Sequence, residues 1–274
     1  MNGAGSKGMY IVTFFVTAYV LSWAAWAVLF ERRLSHLTRP GLWLYLAAVL
    51  APHASALLNT LIEGGRAGAR AFYRLFTRRL PLRWAMVAIL VPPLTGLTQV
   101  AIACILHLPH DSFFHRPPRA LSMLIFGQLA VVFGEEPGWR GFALPRLTRR
   151  FGPIVATLIL GIAWALWHWP LFEIAGTAQY GTSFLSFVVL LVAWSMVMTL
   201  VVIRAHGSVV AAMLFHASGN LCSFTLWEPK EFLLALGPWV VVAGVAAWMM
   251  RREGRDSQRV FEPDGSGRRR TSEA

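Results

Sequence analysis

Acidic side chains are scarce in this chain. There are 13 in 274 residues, against 25 lysines and arginines, and charged residues together make up only 14%. A soluble domain of this size carries nearer to about 25%. That shortage, beside a hydrophobic content of 56%, excludes an ordinary soluble globule. Cysteine is nearly absent. Cys104 and Cys222 both sit in apolar stretches, so the chain has no disulfide framework and no Cys-x-x-Cys metal knuckle. It also lacks a Gly-rich phosphate loop, a Gly-x-Ser-x-Gly elbow and a His-Glu-x-x-His pair. No tandem repeat is visible, so residues 1–253 read as one domain, followed by a basic tail, 254–274, expected to be disordered.

What is present in quantity is apolar sequence. Stretches near the length that crosses a bilayer, about 20 residues, recur at 9–30, 41–62, 84–108, 119–139, 153–172, 182–203, 208–227 and 231–250. The expected fold is therefore all-α, a polytopic transmembrane helical bundle of about eight spans in a multi-pass membrane protein, at the plasma membrane if bacterial. The first apolar run has no small-residue cleavage site and reads as a retained span. The net charge of +12 falls mostly between apolar runs, which points to membrane lipid and not to nucleic acid. Arginines crowd the 63–83 and 140–150 connections and the tail, whereas the 171–181 connection has no Lys or Arg. Positive connections stay cytoplasmic, so both termini are expected inside. Arg32, Arg33 and Arg39 run against this assignment and are outweighed. The basic, aromatic stretch 72–82 reads as an interfacial amphipathic helix, and the twelve tryptophans suit interfacial anchoring, although several lie inside spans.

Two of the few acids stand out. Glu135 and Glu136 close the apolar run 121–133, and carboxylates at membrane depth are costly unless paired or functional. Neighbours on a helix point about 100° apart, so the two cannot aim at one spot. Glu136 and Arg140 stand at i and i+4, the spacing of a helical ion pair, which leaves Glu135 to face a cavity. Pro137 brings no N–H to the carbonyl of Phe133, which hints at a hydrated pocket beside the acids. Trp164 and His168 share a helix face, as do His216 and Asn220. A hairpin centred near Phe151 and Gly152 would bring Glu135 and His168 to one depth. Each group also has a plainer use: an ion pair, a histidine capping a helix end near Pro170, or interhelical hydrogen bonds. His53 either lines the same cavity or bonds a neighbouring helix. His107, His110, His115 and His206 fall in connections.

Together these groups suit hydrolysis. A partly desolvated carboxylate accepts a proton from water, an imidazole holds that water, and a second imidazole with a carboxamide donates to the oxyanion formed on a peptide carbonyl. The same set also suits a metal such as zinc, with Glu135, His168 and His216 as ligands and a fourth position open. The absence of a dense local ligand motif favours the metal-free version.

At these residues the chain resembles the CAAX-protease and bacteriocin-processing (CPBP, or Abi-type) family of intramembrane endopeptidases. That family's Glu-Glu-x-x-x-Arg, aromatic-x-x-x-His and His-x-x-x-Asn motifs read here as Glu135-Glu136-Pro137-Gly138-Trp139-Arg140, Trp164 to His168, and His216 to Asn220. The motif core runs from 134 to 221, about a third of the chain. The resemblance implies a peptide hydrolase, of glutamic or metallo type, that acts on a membrane-associated peptide or lipidated protein. It implies Glu135 as the base, Glu136 and Arg140 as its support, His168 at the water, and His216 with Asn220 at the oxyanion. Substrate-binding residues are not indicated. Two other readings stay open at this point. One is a non-catalytic membrane protein of bacteriocin-immunity or scaffold type that uses the same cavity for binding. The other is a proton-coupled transporter, against which the missing repeat weighs.

Overall fold

The computed structural model describes residues 3–35, 38–107, 118–225, 232–253 and 260–261. Among them all regular structure is helical: α1 (Gly3–Glu31), α2 (Arg39–Tyr73), α3 (Leu82–Ile105), α4 (Pro118–Glu136), α5 (Leu144–Trp167), α6 (Phe184–Arg204), α7 (Val209–Thr225) and α8 (Phe232–Glu253). Short turns Arg74–Phe76 and Trp169–Phe172 are 3-10 helical, and a π-helical segment, Pro137–Ala143, joins α4 to α5. Among the described residues five helical stretches are long and apolar enough to cross a membrane: Met9–Glu31, Arg39–Phe76, Leu82–Ile105, Gly127–Trp167 and Phe184–Arg204. A shorter apolar helix lies at Val209–Ser223. The protein is all-α and an integral, multi-pass membrane protein.

The expected boundaries shift at three places, each with a local cause. The connection read at 140–150 is helical, because the acid-bearing helix continues through the π segment and turns only at Gly152 (φ 77°, ψ 166°). A left-handed φ of that kind suits glycine. The second span runs past its expected end to Tyr73, broken at Gly65 (φ 56°, ψ −149°). The amphipathic piece therefore precedes 72–82 and spans 66–76, since Pro81 caps the next helix in extended conformation. The fifth span stops at Trp167, because Pro170 cannot extend an α-helix and its ring crowds the residue before it.

α1 packs on α2, α2 on α4, α5 on α6, α3 on α7, and α6 on α8. Small polar side chains join α1 to α2 at one-turn intervals. Thr13 bonds Asn59, Thr17 bonds Ser55, and Ser22 donates to the carbonyl of Ala48 at 2.7 Å. Four of the tryptophans that lie inside expected spans fill the core. Trp26, Trp139, Trp164 and Trp167 are fully buried, with the Trp26 and Trp167 rings 4.7 Å apart. Several of the described basic residues gather at one end of the bundle. There Arg146 pairs with Glu63, Arg204 with Glu253, and Arg78 donates to the carbonyl of His206. Val260 and Phe261, within the stretch expected to be disordered, join this end. Phe261 is buried, and its carbonyl accepts from Arg149 at 2.8 Å; an aromatic side chain leaves water there.

Gly134 and Gly138, one turn apart, let α4 and the π segment press against α2. A Cβ added at Gly138 would stand 2.6 Å from the Pro52 carbonyl oxygen, and one at Gly134 would stand 2.5 Å from that of Val49. This is close backbone approach through small residues, as membrane helices use it. Gly138→Ala is expected to destabilise the protein by about 1–3 kcal/mol. Gly127→Ala, which meets nothing within 4 Å, is expected to stay within about 0.5 kcal/mol of wild type. Thermal unfolding of both variants in one detergent checks the contrast.

Candidate active site

The site is built from five elements. Gln128, Glu135 and Glu136 come from α4, Arg140 from the π segment, Trp164 and His168 from the end of α5, and His216 with Asn220 from α7. Ser195 of α6 closes it. A π segment widens the helix by one residue per turn, a local irregularity that recurs at functional sites. Here it carries Arg140 from the level of the acids toward α6.

Glu136 is completely buried, and its Oε1 is the hub. It accepts from Arg140 Nη1 at 3.1 Å and from His216 Nδ1 at 2.7 Å. Arg140 spends Nη2 on Ser195 Oγ at 2.9 Å and lies with its guanidinium carbon 4.1 Å from the centre of the Trp164 ring. The ion pair expected from the i, i+4 spacing is thus present, and the side chains of both partners are sealed from solvent.

Glu135 points elsewhere, as the helix geometry requires. It is 2% exposed, and its Oε2 accepts from Trp164 Nε1 at 2.7 Å. The carbonyl of the same tryptophan accepts from His168 Nδ1 at 2.8 Å. Trp164 therefore links the carboxylate to the histidine through its two polar ends. A carbonyl only accepts, so His168 donates from Nδ1, and in the neutral ring Nε2 keeps its lone pair. The helix-capping use of His168 is real and is what orients the ring. His216 is turned the same way: its Nδ1 faces a carboxylate, and Nε2 points away from it.

Asn220 donates from Nδ2 to Gln128 Oε1 at 2.6 Å. Gln128, buried and seven residues before Glu135, was not singled out by sequence reasoning. The signal was available: it is the one carboxamide in the apolar run 121–133, two turns before Glu135 and on its face. Ser195 and the indole N–H of Trp164 were missed too, because neither role shows in spacing alone.

His53 bonds a neighbouring helix. Its Nδ1 donates to the Phe133 carbonyl at 2.9 Å, the group to which Pro137 brings no N–H. His107 is exposed, whereas His110 and His115 lie outside the described residues. Among the described residues no group of three or more His, Cys, Asp or Glu side chains is placed to hold a metal ion. Glu135, His168 and His216 do not form a ligand set here, with the Glu135 Oε2 occupied by Trp164 and His216 addressed to Glu136.

Residues 117–222, which contain every member of this site, match the family model described as type II CAAX prenyl endopeptidase Rce1-like. This segment is Rce1-like. The chain is also similar to a curated protein, CAAX prenyl protease 2 of Methanococcus maripaludis, 33% identical over 99 residues, covering 34% of this chain and 36% of that protein. The chain thus spans about a third of the length of the curated relative it matches. The resemblance read from the three motifs holds.

Proposed function

We propose that this protein is an intramembrane endopeptidase that hydrolyses a peptide bond in a membrane-associated substrate. The observation that carries the reading is the buried Glu135, joined by one tryptophan to His168, beside a second acid joined to His216. In the proposed reaction Glu135 takes a proton from a water held at His168 Nε2. The resulting hydroxide adds to the peptide carbonyl carbon. The carbonyl oxygen becomes an oxyanion that accepts from Asn220 Nδ2 and His216 Nε2. To donate from Nε2 the His216 ring must carry both protons, and the Glu136 carboxylate at Nδ1 is the counter-charge that form needs. The carbon–nitrogen bond then breaks, and the proton on Glu135 passes to the leaving amine.

The name of the archaeal relative makes a prenylated peptide the first substrate to try. Protein reconstituted in liposomes is expected to cleave a prenylated peptide ending in a CAAX-type sequence, and in H2(18)O to place one labelled oxygen in the new carboxylate. Turnover is expected to survive exhaustive chelation, because the donors are not grouped as ligands. Mass spectrometry reads both results. A label-free product would remove direct water attack, and activity restored only by added zinc would overturn the metal-free mechanism.

Gln128 supplies a second test. By accepting one N–H of Asn220 it fixes the carboxamide and leaves the other N–H to donate. Loss of an oxyanion donor costs about 10²–10³ in kcat, and Asn220→Ala is expected in that range. Gln128→Met should lower kcat less and leave KM nearly unchanged. In the Asn220→Ala background the same change should have almost no further effect. Multiplicative losses in that cycle would show that Gln128 acts on its own.

A further inference from the structure

We propose that Arg70, Tyr73 and Arg74 form a binding site for the phosphate headgroup of an anionic phospholipid at the basic end of the bundle. This inference is independent of the catalytic reading.

The break at Gly65 sets residues 66–76 apart from the span that precedes them. Beyond it Arg66, Arg70 and Arg74 recur at every fourth position, so they share one helix face, and all three are exposed. The other face is aromatic and fixed. Phe72 is buried, and Phe72 with Leu75 would be the first side chains met by a Cβ on Gly141 of the π segment. Phe76 packs against Phe133 with ring centres 5.7 Å apart. The segment is thus an amphipathic piece held at the end of a membrane span, with its guanidinium face outward.

A hollow of about 400 Å³ opens on that face, lined by Ala69, Arg70, Tyr73, Arg74 and Thr77. Residues 63–83 contain a single acid, Glu63, and it is occupied by Arg146. The segment therefore offers the hollow cationic charge and no carboxylate of its own. The lining is also mixed, since Ala69 and the Tyr73 ring supply apolar surface between the two guanidiniums. A free phosphate would use only the rim. A phospholipid uses both, with its phosphate at the arginines and its glycerol and first methylenes against the apolar floor. Basic clusters beside a membrane span attract anionic headgroups in this way.

The site also touches the acid-bearing helix. Tyr73 hydroxyl lies 3.4 Å from His53 Nε2, and His53 Nδ1 holds the Phe133 carbonyl, two residues before Glu135. A headgroup resting on Tyr73 is two hydrogen bonds from that helix, so lipid binding is expected to raise the melting temperature of the intact bundle.

Purified full-length protein in a neutral detergent, titrated with phosphatidylglycerol or phosphatidylcholine, tests this by native mass spectrometry and thermal unfolding. Wild type should retain phosphatidylglycerol preferentially and melt higher with it. Arg70→Gln/Arg74→Gln should weaken that retention about 25-fold, at about fivefold per arginine, and lose the thermal gain. Arg70→Lys/Arg74→Lys should keep most of both. Arg251→Gln/Arg252→Gln, which removes the same charge from exposed positions on α8, should bind nearly as wild type. Equal losses in the two Gln pairs would reduce the effect to net charge and overturn the site. Displacement of the lipid by millimolar inorganic phosphate would make it a free-anion site instead. Undiminished retention in Arg70→Gln/Arg74→Gln would refute the proposal.

Discussion

Glu135→Gln is expected to abolish turnover while leaving the fold intact. The substitution keeps the shape of the side chain, and an amide oxygen in place of Oε2 still accepts from Trp164 Nε1, so the 2.7 Å bond survives. What is lost is the ability to take a proton from water. A positioned general base is worth about 10²–10⁴ in rate, and the upper part of that range is expected here, because the other described acid of the site is committed to Arg140 and His216. Trp164→Phe is the companion variant. It keeps the ring under Arg140 but removes the donor to Glu135, so the carboxylate loses its orientation and kcat should fall by a smaller factor than for Glu135→Gln. Initial rates in liposomes, with melting temperatures of the same preparations, separate chemistry from stability. Wild-type turnover by Glu135→Gln would end the proposed mechanism.

Much of this site was legible in one sequence because membrane depth makes polar residues conspicuous. Two adjacent carboxylates in an apolar run, an arginine one turn on, and two histidines in later runs could be read by spacing, and the Glu136–Arg140 pair followed from i, i+4 geometry. The break at Gly152, inside α5, falls where the sequence centred the connection between the two spans. Spacing could not show which acid takes which imidazole. The 100° step between Glu135 and Glu136 says that they diverge, but only the rotation of α4 against α7 decides that His216 meets Glu136. The link through Trp164 was hidden for a different reason. In a helix motif an aromatic residue reads as packing, and its indole N–H gains a role only when a carboxylate arrives from another helix. His53 was ambiguous until the partner of the Phe133 carbonyl was known. The interfacial preference of tryptophan is an average, and a bundle this rich in Gly and Ala needs the large rings that lie inside its spans to fill its core.

Glu136→Gln, unlike Glu135→Gln, should lose stability as well as turnover. Glu136 is the counter-charge for Arg140, which is 1% exposed. Glutamine could still accept from Arg140 Nη1, but the guanidinium would then be a buried cation facing a neutral partner, with Ser195 Oγ and the Trp164 ring as its remaining contacts. The new NH2 group would fall where Oε2 stands, and Oε2 has no hydrogen-bond partner among the described residues. Removing one partner of a buried pair costs about 3–5 kcal/mol, far more than the intact pair contributes over an apolar replacement. Melting should therefore drop by roughly 10 °C, against about 1 °C or less for Glu135→Gln. Glu136→Gln/Arg140→Met removes the stranded charge together with its lost partner, and should regain part of that deficit while remaining inactive, since His216 still lacks its carboxylate. Thermal unfolding of the three variants in one detergent decides the matter. Equal melting of the two single variants would mean that Arg140 finds its compensation elsewhere, and the hub role given to Glu136 would then be wrong.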